Sequence, residues 1–250
     1  MTFPIEFGYG SYKVSAHLIF ELLAFFTAFR FYIFLRKKTK DPISKANRFL
    51  IIIGATLGAF LGSRLVGGLE DPNALANSKH LFLYFFATKT IVGGLLGGLF
   101  SVELVKLLIH EKKNSGDIFV FPIILGMSIG RIGCFSNGIY EMTYGVETHF
   151  FLGMDLGDGL HRHPVALYEI IFLLVLASIL YGISKKIRLR NGLLFKLFMI
   201  AYLVFRFLLE YIKPVFFWDS GLSTIQIACI IGLTYYFFVF LIKRKPVVDQ

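Results

Sequence analysis

Seven apolar runs divide this chain, most of them about twenty residues long, which is the length that crosses the hydrocarbon of a bilayer as a helix. They fall at 15–35, 49–68, 81–109, 118–136, 165–184, 192–212 and 222–242. In lipid every backbone amide must be satisfied internally, so the expected fold class is all-α. The sequence predicts a polytopic seven-transmembrane helix bundle, one membrane domain over residues 1–250. The third run is too long for a simple crossing, and reads as beginning with an interfacial segment, tilting, or breaking near Gly93-Gly94. Only 17% of the residues are charged against 56% hydrophobic, too little polar surface for a soluble domain of this size. A net charge of +10 would suggest nucleic acid in a soluble protein, but here the basic residues sit at the ends of the apolar runs. No nucleic-acid partner is expected. The N-terminus lacks a basic stretch followed by a small-residue cleavage site, so the first run is expected to stay as a membrane helix.

Orientation follows from the loops. Alternate loops and the tail carry Arg36, Lys37, Lys38, Lys40, Lys45, Arg48, Lys112, Lys113, Lys185, Lys186, Arg188, Arg190, Lys243, Arg244 and Lys245, which is 15 basic residues. The opposite side has 4: Lys13, Lys79, Arg162 and Lys213. Excess positive charge marks the cytoplasmic side, which places the C-terminus inside and the N-terminus outside a bacterial cytoplasmic (inner) membrane. The longest loop, 137–164, then faces out, and Met142, Phe150, Phe151 and Leu152 suggest that it folds onto the outer face.

Charges within the spans are costly unless paired or facing a wet cavity, so each is a candidate for function. Arg30 and Lys196 lie near span ends and read as snorkelling cations, and Glu103 and Lys106, three apart, as a pair that satisfies itself. Arg64, Lys89 and Glu21 stand within or beside the first three spans. Arg131 lies deep in the fourth span between glycines, with no acid on its own helix. Tyr202, Arg206 and Glu210, spaced by four, share one polar face of the sixth. At about 1.5 Å per residue, Arg131 and Arg206 both stand about 20 Å above the cytoplasmic ends of their spans. Arginines gathered at one level suit a phosphate, whose oxygens match the guanidinium fork, and a phospholipid headgroup is the anion available there. Cys134 and Cys229 lie in apolar stretches and form neither a metal pattern nor a disulfide framework, and no metal or organic cofactor is implied. Cys134 reads as a small buried residue, with a carrier nucleophile as the alternative.

The run IGRIGCFSNG (129–138) resembles the signature of the prolipoprotein diacylglyceryl transferases, an arginine between glycines followed by phenylalanine and Asn-Gly. Four further stretches are similar to that family in order and spacing: TIVGGLLGG (90–98), RHPVALYEI (162–170), YLVFRFLLEY (202–211) and GLSTIQ (221–226). Departures from the family pattern are Val92 for a histidine, Cys134 for an asparagine, Ile139 for a glutamate (with Glu141 two residues on) and His17 for a tyrosine.

The resemblance implies a transferase of lipoprotein biosynthesis. It would move the diacylglyceryl group of phosphatidylglycerol to the lipobox cysteine of a preprolipoprotein, releasing glycerol phosphate. The partners expected are that phospholipid, the preprolipoprotein signal peptide and membrane lipids, with the enzyme a monomer. Arg131 and Arg206 are the expected phosphate clamps. Glu210 would orient Arg206, Tyr202 donate to a headgroup oxygen, and Asn137 fix the loop or the headgroup. Glu169 would orient a neighbour or accept a proton, while His17, His161 and His163 are base candidates of near-neutral intrinsic pKa. Arg64, Gly93 and Gly94 are further substrate-binding candidates. Two other readings stand beside this one: a related glyceride or headgroup transferase with a non-lipoprotein acceptor, and a lipid or anion transporter. A transporter predicts an inverted repeat, and no convincing internal repeat is visible.

Overall fold

The structure is a computed structural model that describes residues 3–9, 12–39, 41–114, 116–187 and 191–242. Lys40, Arg188, Arg190, Lys243, Arg244 and Lys245, six of the cations in the charge asymmetry, lie outside the described residues. The chain opens with an antiparallel hairpin, β1 (Glu6–Tyr9) against β2 (Tyr12–Ser15), with Glu6 opposite Ser15. Ser15 caps α1 (Ala16–Lys38), its Oγ accepting the His17 amide at 3.1 Å. That satisfies one of the amides every helix start leaves unpaired. Arg36, Lys37 and Lys38 close α1, where cations meet the negative end of the helix dipole. Ser44 caps α2 (Lys45–Gly68), and Asp71 caps the short α3 (Pro72–Ala76). Then come α4 (Leu81–Ala87), α5 (Ile91–Leu108) and, after a 3₁₀ turn, α6 (Val120–Asn137). A two-residue hairpin, β3 (Met154–Asp155) with β4 (His161–Arg162), precedes α7 (Val165–Lys186) and α8 (Leu193–Leu209). A 3₁₀ turn at Glu210–Ile212 and α9 (Thr224–Ile242) complete the fold.

The chain is thus a helical, multi-pass membrane protein, with six helices long and apolar enough to cross a bilayer: α1, α2, α5, the α6 segment, α7 and α9. Helix α8 has 17 residues, and its start is fixed by Asp117, whose carboxylate accepts the amides of Gly192 at 2.6 Å and Phe195 at 2.8 Å. The long third run divides into α4 and α5, but the break lies at 88–90 and not at the glycine pair. The reason is that α2 satisfies the backbone freed there. The Thr90 amide donates to Ser63 O and Oγ, at 3.2 and 3.0 Å, and Arg64 Nη1 donates to Thr88 O at 2.7 Å. Gly93 and Gly94 continue α5 as regular helix.

Glycines decide which helices touch. A Cβ on Gly62 would collide with the Gly93 carbonyl, and one on Gly97 with the Gly58 carbonyl, so α2 and α5 pack backbone to backbone. On α6, a Cβ on Gly133 would come 3.1 Å from His17 O, and one on Gly126 3.1 Å from Ala28 Cβ, which draws α6 against α1. The glycines of the third and fourth runs therefore serve two separate helix pairs, α2 with α5 and α1 with α6. The apolar core lies between α5, α6, α7, α8 and α9 and includes Val92, Leu173, Phe198, Met199 and Leu203, all fully buried. Large side chains such as Phe25, Phe26, Phe82 and Leu107 point outward, as lipid-facing residues do.

The 137–164 segment is held mainly through its backbone. The Ile139 amide donates to Leu156 O at 3.1 Å, and the Val146 amide to Ile212 O at 2.8 Å, tying the loop to the end of α8. The Asp155 carboxyl is held below its ordinary pKa range by the amides of Gly157 and Gly159. Met142, Phe150, Phe151 and Leu152 remain exposed, so their burial is not what fixes the loop.

The packing yields a contrast that thermal unfolding in detergent can read. Gly97→Leu should lower the midpoint markedly, since overpacking costs about 1–3 kcal/mol and here the obstacle is backbone. Gly130→Ala, where nothing lies within 4 Å of the added carbon, should leave the midpoint unchanged or raise it. Equal losses in both would contradict the close approach of α2 and α5.

Candidate functional site

The deep charged residues of three helices meet where α6, α7 and α8 pack together. Glu169, in the second turn of α7, is fully buried and accepts from every side. Arg131 Nε of α6 lies 2.9 Å from its Oε2, though without hydrogen-bond alignment, and Arg206 Nη1 of α8 donates to the same oxygen at 3.4 Å. Tyr202 OH donates to Oε1 at 2.7 Å. One turn above, Arg206 Nη2 donates to Glu210 Oε1 at 2.6 Å. Glu210 also holds Lys213 Nζ at 3.6 Å and the Ser223 hydroxyl at 3.4 Å. Gln226 completes this end: its Oε1 accepts the Ser223 amide and its Nε2 donates to Phe207 O. Burial pushes the Lys213 ammonium below the usual lysine range, against the opposing pull of Glu210.

The two arginines are not equivalent. Both Nη atoms of Arg206 are committed to carboxylates, whereas Arg131 sends Nη1 to Cys134 Sγ, a weak acceptor, at 3.6 Å. Its Nη2 makes no hydrogen bond with any described residue. Arg131 thus keeps an uncommitted Nη, whereas on Arg206 the nitrogen without a hydrogen bond among the described residues is the buried Nε. Within contact distance, three cations (Arg131, Arg206, Lys213) face two carboxylates (Glu169, Glu210), one net positive charge when all are ionised.

A second polar arm runs from Arg131 to α1. Cys134 stands between the Arg131 guanidinium and the imidazole of His17. His17 Nε2 lies 3.7 Å from Glu21 Oε2 and 4.0 Å from Glu141 Oε2, and Glu21 in turn binds Lys89 Nζ at 2.9 Å. A chain of polar side chains thus joins α1, α6, α7 and α8.

Arg131, Arg206, Glu210, Glu169, Tyr202 and His17 therefore come together. The other residues singled out in the sequence stand apart. Arg64 spends Nη1 on Thr88 O and lies over the Phe60 and Phe86 rings. Gly93 packs against Gly62, and Gly94 lies beside Ser63 and Ala59. His163 sits before α7 with Nδ1 3.1 Å from Tyr168 OH, and half-buried Asn137 closes α6. Lys213, Ser223 and Gln226 are members that sequence reasoning passed over. The spacing of three between Glu210 and Lys213, and again between Ser223 and Gln226, was their signal. Among the remaining charges of the helices, Glu103 Oε1 lies 3.7 Å from Lys106 Nζ, Arg30 is exposed, and Lys196 Nζ stands 5.4 Å over the Phe240 ring. No group of three or more histidine, cysteine, aspartate or glutamate side chains fit to hold a metal occurs among the described residues.

Because Glu169 neutralises two arginines, its removal should be costly. Glu169→Gln should destabilise the protein by about 3–5 kcal/mol, the range for breaking a buried ion pair. Tyr202→Phe, which deletes one hydrogen bond, should cost about 1 kcal/mol. Denaturant or thermal unfolding of both variants checks the order; a larger loss for Tyr202→Phe would refute the bridging role of Glu169.

A family profile described as prolipoprotein diacylglyceryl transferase matches residues 4–242. Similar proteins carry the name phosphatidylglycerol–prolipoprotein diacylglyceryl transferase. One from Bordetella bronchiseptica is 34% identical over 174 residues, covering 66% of this chain and 63% of that protein, so the matched region spans under two thirds of that relative's length. One from Coxiella burnetii (strain Dugway 5J108-111) is 29% identical over 218 residues, covering 84% of this chain and 81% of its own. One from Dehalococcoides mccartyi is 27% identical over 263 aligned positions, 99% of this chain and 96% of its own.

Proposed function

The chain belongs to the prolipoprotein diacylglyceryl transferase family, and on that footing we propose that it moves the diacylglyceryl group of phosphatidylglycerol to the lipobox cysteine of a preprolipoprotein. The acceptor would present its cysteine through the signal peptide, at a bacterial cytoplasmic membrane. The reaction is displacement at an sp³ carbon: a thiolate attacks the glyceryl CH₂, the carbon–oxygen bond breaks, and its electron pair leaves with glycerol phosphate. Such a step asks for positive charge at the departing phosphate, held ready in a water-poor site.

The observation that carries this reading is the convergence of Arg131 and Arg206 on Glu169, with donors of Arg131 left over. In the proposed roles Arg131 meets the phosphate through its free fork. Arg206, fixed by Glu169 and Glu210, adds charge from behind, and Tyr202 keeps Glu169 oriented. Asn137, at the end of the Arg131 helix, is proposed to steady the headgroup.

Arg131→Ala should then lower transfer by about 10²–10³-fold in folded protein, as removal of a preorganised donor does, while lipid binding changes less. Arg131→Lys should recover little, because a point charge does not reproduce the bidentate fork. The measurement is transfer from phosphatidylglycerol to a lipobox peptide beside the thermal midpoint of each variant. Wild-type-like transfer by stable Arg131→Ala would end the proposed role.

The proposed topology has seven spans, α8 serving as the sixth, with the N-terminus and the 137–164 loop outside and α1 ending inside. Its support is the 15 to 4 distribution of basic residues. An impermeant thiol reagent applied to intact cells should label Asp155→Cys and spare Lys38→Cys, in a background lacking Cys134 and Cys229. The reverse pattern would defeat this orientation.

A further inference from the structure

We propose that His17 is the base that takes the proton from the acceptor thiol, with Glu141 and Glu21 as its positioning residues; this rests on the transfer reaction proposed above. Three observations carry it. First, of the six histidines, all among the described residues, His17 is the one joined to the arginine cluster, with the Cys134 thiol between imidazole and guanidinium. His163 is occupied by Tyr168, and His161 is exposed on β4. Second, the ring has acidic neighbours. Nε2 faces the carboxylates of Glu21 and Glu141 at 3.7 and 4.0 Å, while Cys134 and the Gly133 backbone also lie against the ring. A ring with two carboxylates at one nitrogen is set to accept a proton and to keep the resulting cation accompanied. Third, the spacing suits the chemistry. Attack on the carbon that bears the phosphate oxygen brings sulfur to about 3–3.5 Å from that carbon, so base and phosphate clamp must lie within a side chain's length of each other. Cys134 bridges that interval here.

The step balances without a further reactant. The thiol S–H bond breaks and its proton goes to imidazole nitrogen. Sulfur bonds to the glyceryl CH₂ as the carbon–oxygen bond breaks, with its electron pair going to the phosphate oxygen. The imidazolium then returns the proton to the released phosphate monoester. Cys134 does not carry the group, because a thioether formed on it would have no good leaving group for the second transfer.

Every charged or titratable group facing His17 enters the test: Glu21 on its own helix with Lys89 behind it, Glu141 from the loop after α6, and Cys134 and Arg131 on α6. The experiment measures pH–rate profiles of the full-length protein in lipid–detergent micelles, with phosphatidylglycerol and a lipobox peptide, beside lipid binding. His17→Gln should lower kcat by about 10²–10³-fold and abolish the fall in rate at acid pH, with lipid binding within a few-fold of wild type. Imidazole added to His17→Gly should restore part of the rate. Cys134→Ser should keep the acid limb. Should His17→Gln fail to fold, Glu141→Gln gives the independent reading: the acid limb should move to lower pH because the imidazolium loses a counter-charge. Failure of the wild-type protein to transfer would overturn the reaction and the base together. Transfer by the wild type with an unaltered rate and acid limb in His17→Gln, an unmoved limb in Glu141→Gln, or loss of the limb in Cys134→Ser would overturn the base alone.

Discussion

A carboxylate with no access to solvent, Glu169, holds two guanidiniums from different helices, and the rest of the site is arranged around that fact. Two buried cations cannot share one level of a membrane bundle unless an anion lies between them. Glu169 is that anion, and α7 brings it to the seam between α6 and α8. Ion groups of this kind are weak stabilisers, since desolvation takes back most of the Coulombic gain and apolar residues of similar volume often serve stability as well. What the arrangement does supply is fixed orientation: Arg206 is gripped at both Nη atoms, and the hydroxyl of Tyr202 locks the far oxygen of Glu169.

Packing reaches the chemistry through backbone contacts made by glycine. Gly133 lets α6 approach α1 until the backbone of His17 lies against it, and one residue later Cys134 meets the imidazole. A larger residue at 133 would push α1 away and part the imidazole from the guanidinium, so a helix-packing residue governs the spacing of two reactive groups. The α2–α5 pair works one layer further out. There, the backbone opened between α4 and α5 is closed by Ser63 and Arg64, which is how Arg64, conspicuous as an intramembrane cation, comes to serve the scaffold.

The helices were legible because each apolar run must satisfy its own amides, and length alone then marks a span. Within one helix the site was legible too: Tyr202, Arg206 and Glu210 recur at four, and that spacing forces a shared face. Contacts between helices were not. Nothing local to Glu169 says that it meets Arg131, and the interval that had been left for a phosphate between the two arginines holds this carboxylate. Cys134 had no base near it in sequence because His17 arrives from another helix, some 117 residues earlier in numbering. Lys213, counted with the loop charges, is buried against Glu210, and Val92, a departure from the family pattern, is simply core.

The unequal commitments of the two arginines bear on how such a site would favour a transition state over a bound lipid. The cluster carries one net positive charge within contact distance. A phosphodiester brings one negative charge to this cluster, on which Glu70 also acts. As the carbon–oxygen bond stretches, negative charge accumulates on the departing oxygen, beyond what the diester held. Donors aimed there gain strength as the reaction proceeds, which is the differential binding that lowers a barrier. A guanidinium with uncommitted donors can answer that growth without first breaking another bond, and Arg131 has an uncommitted Nη where Arg206 has both Nη atoms on carboxylates. If Arg131 turns toward the phosphate, Glu169 keeps Arg206 and Tyr202, so its charge stays paired. The carboxylate that makes the folded site possible is also what allows Arg131 to leave it.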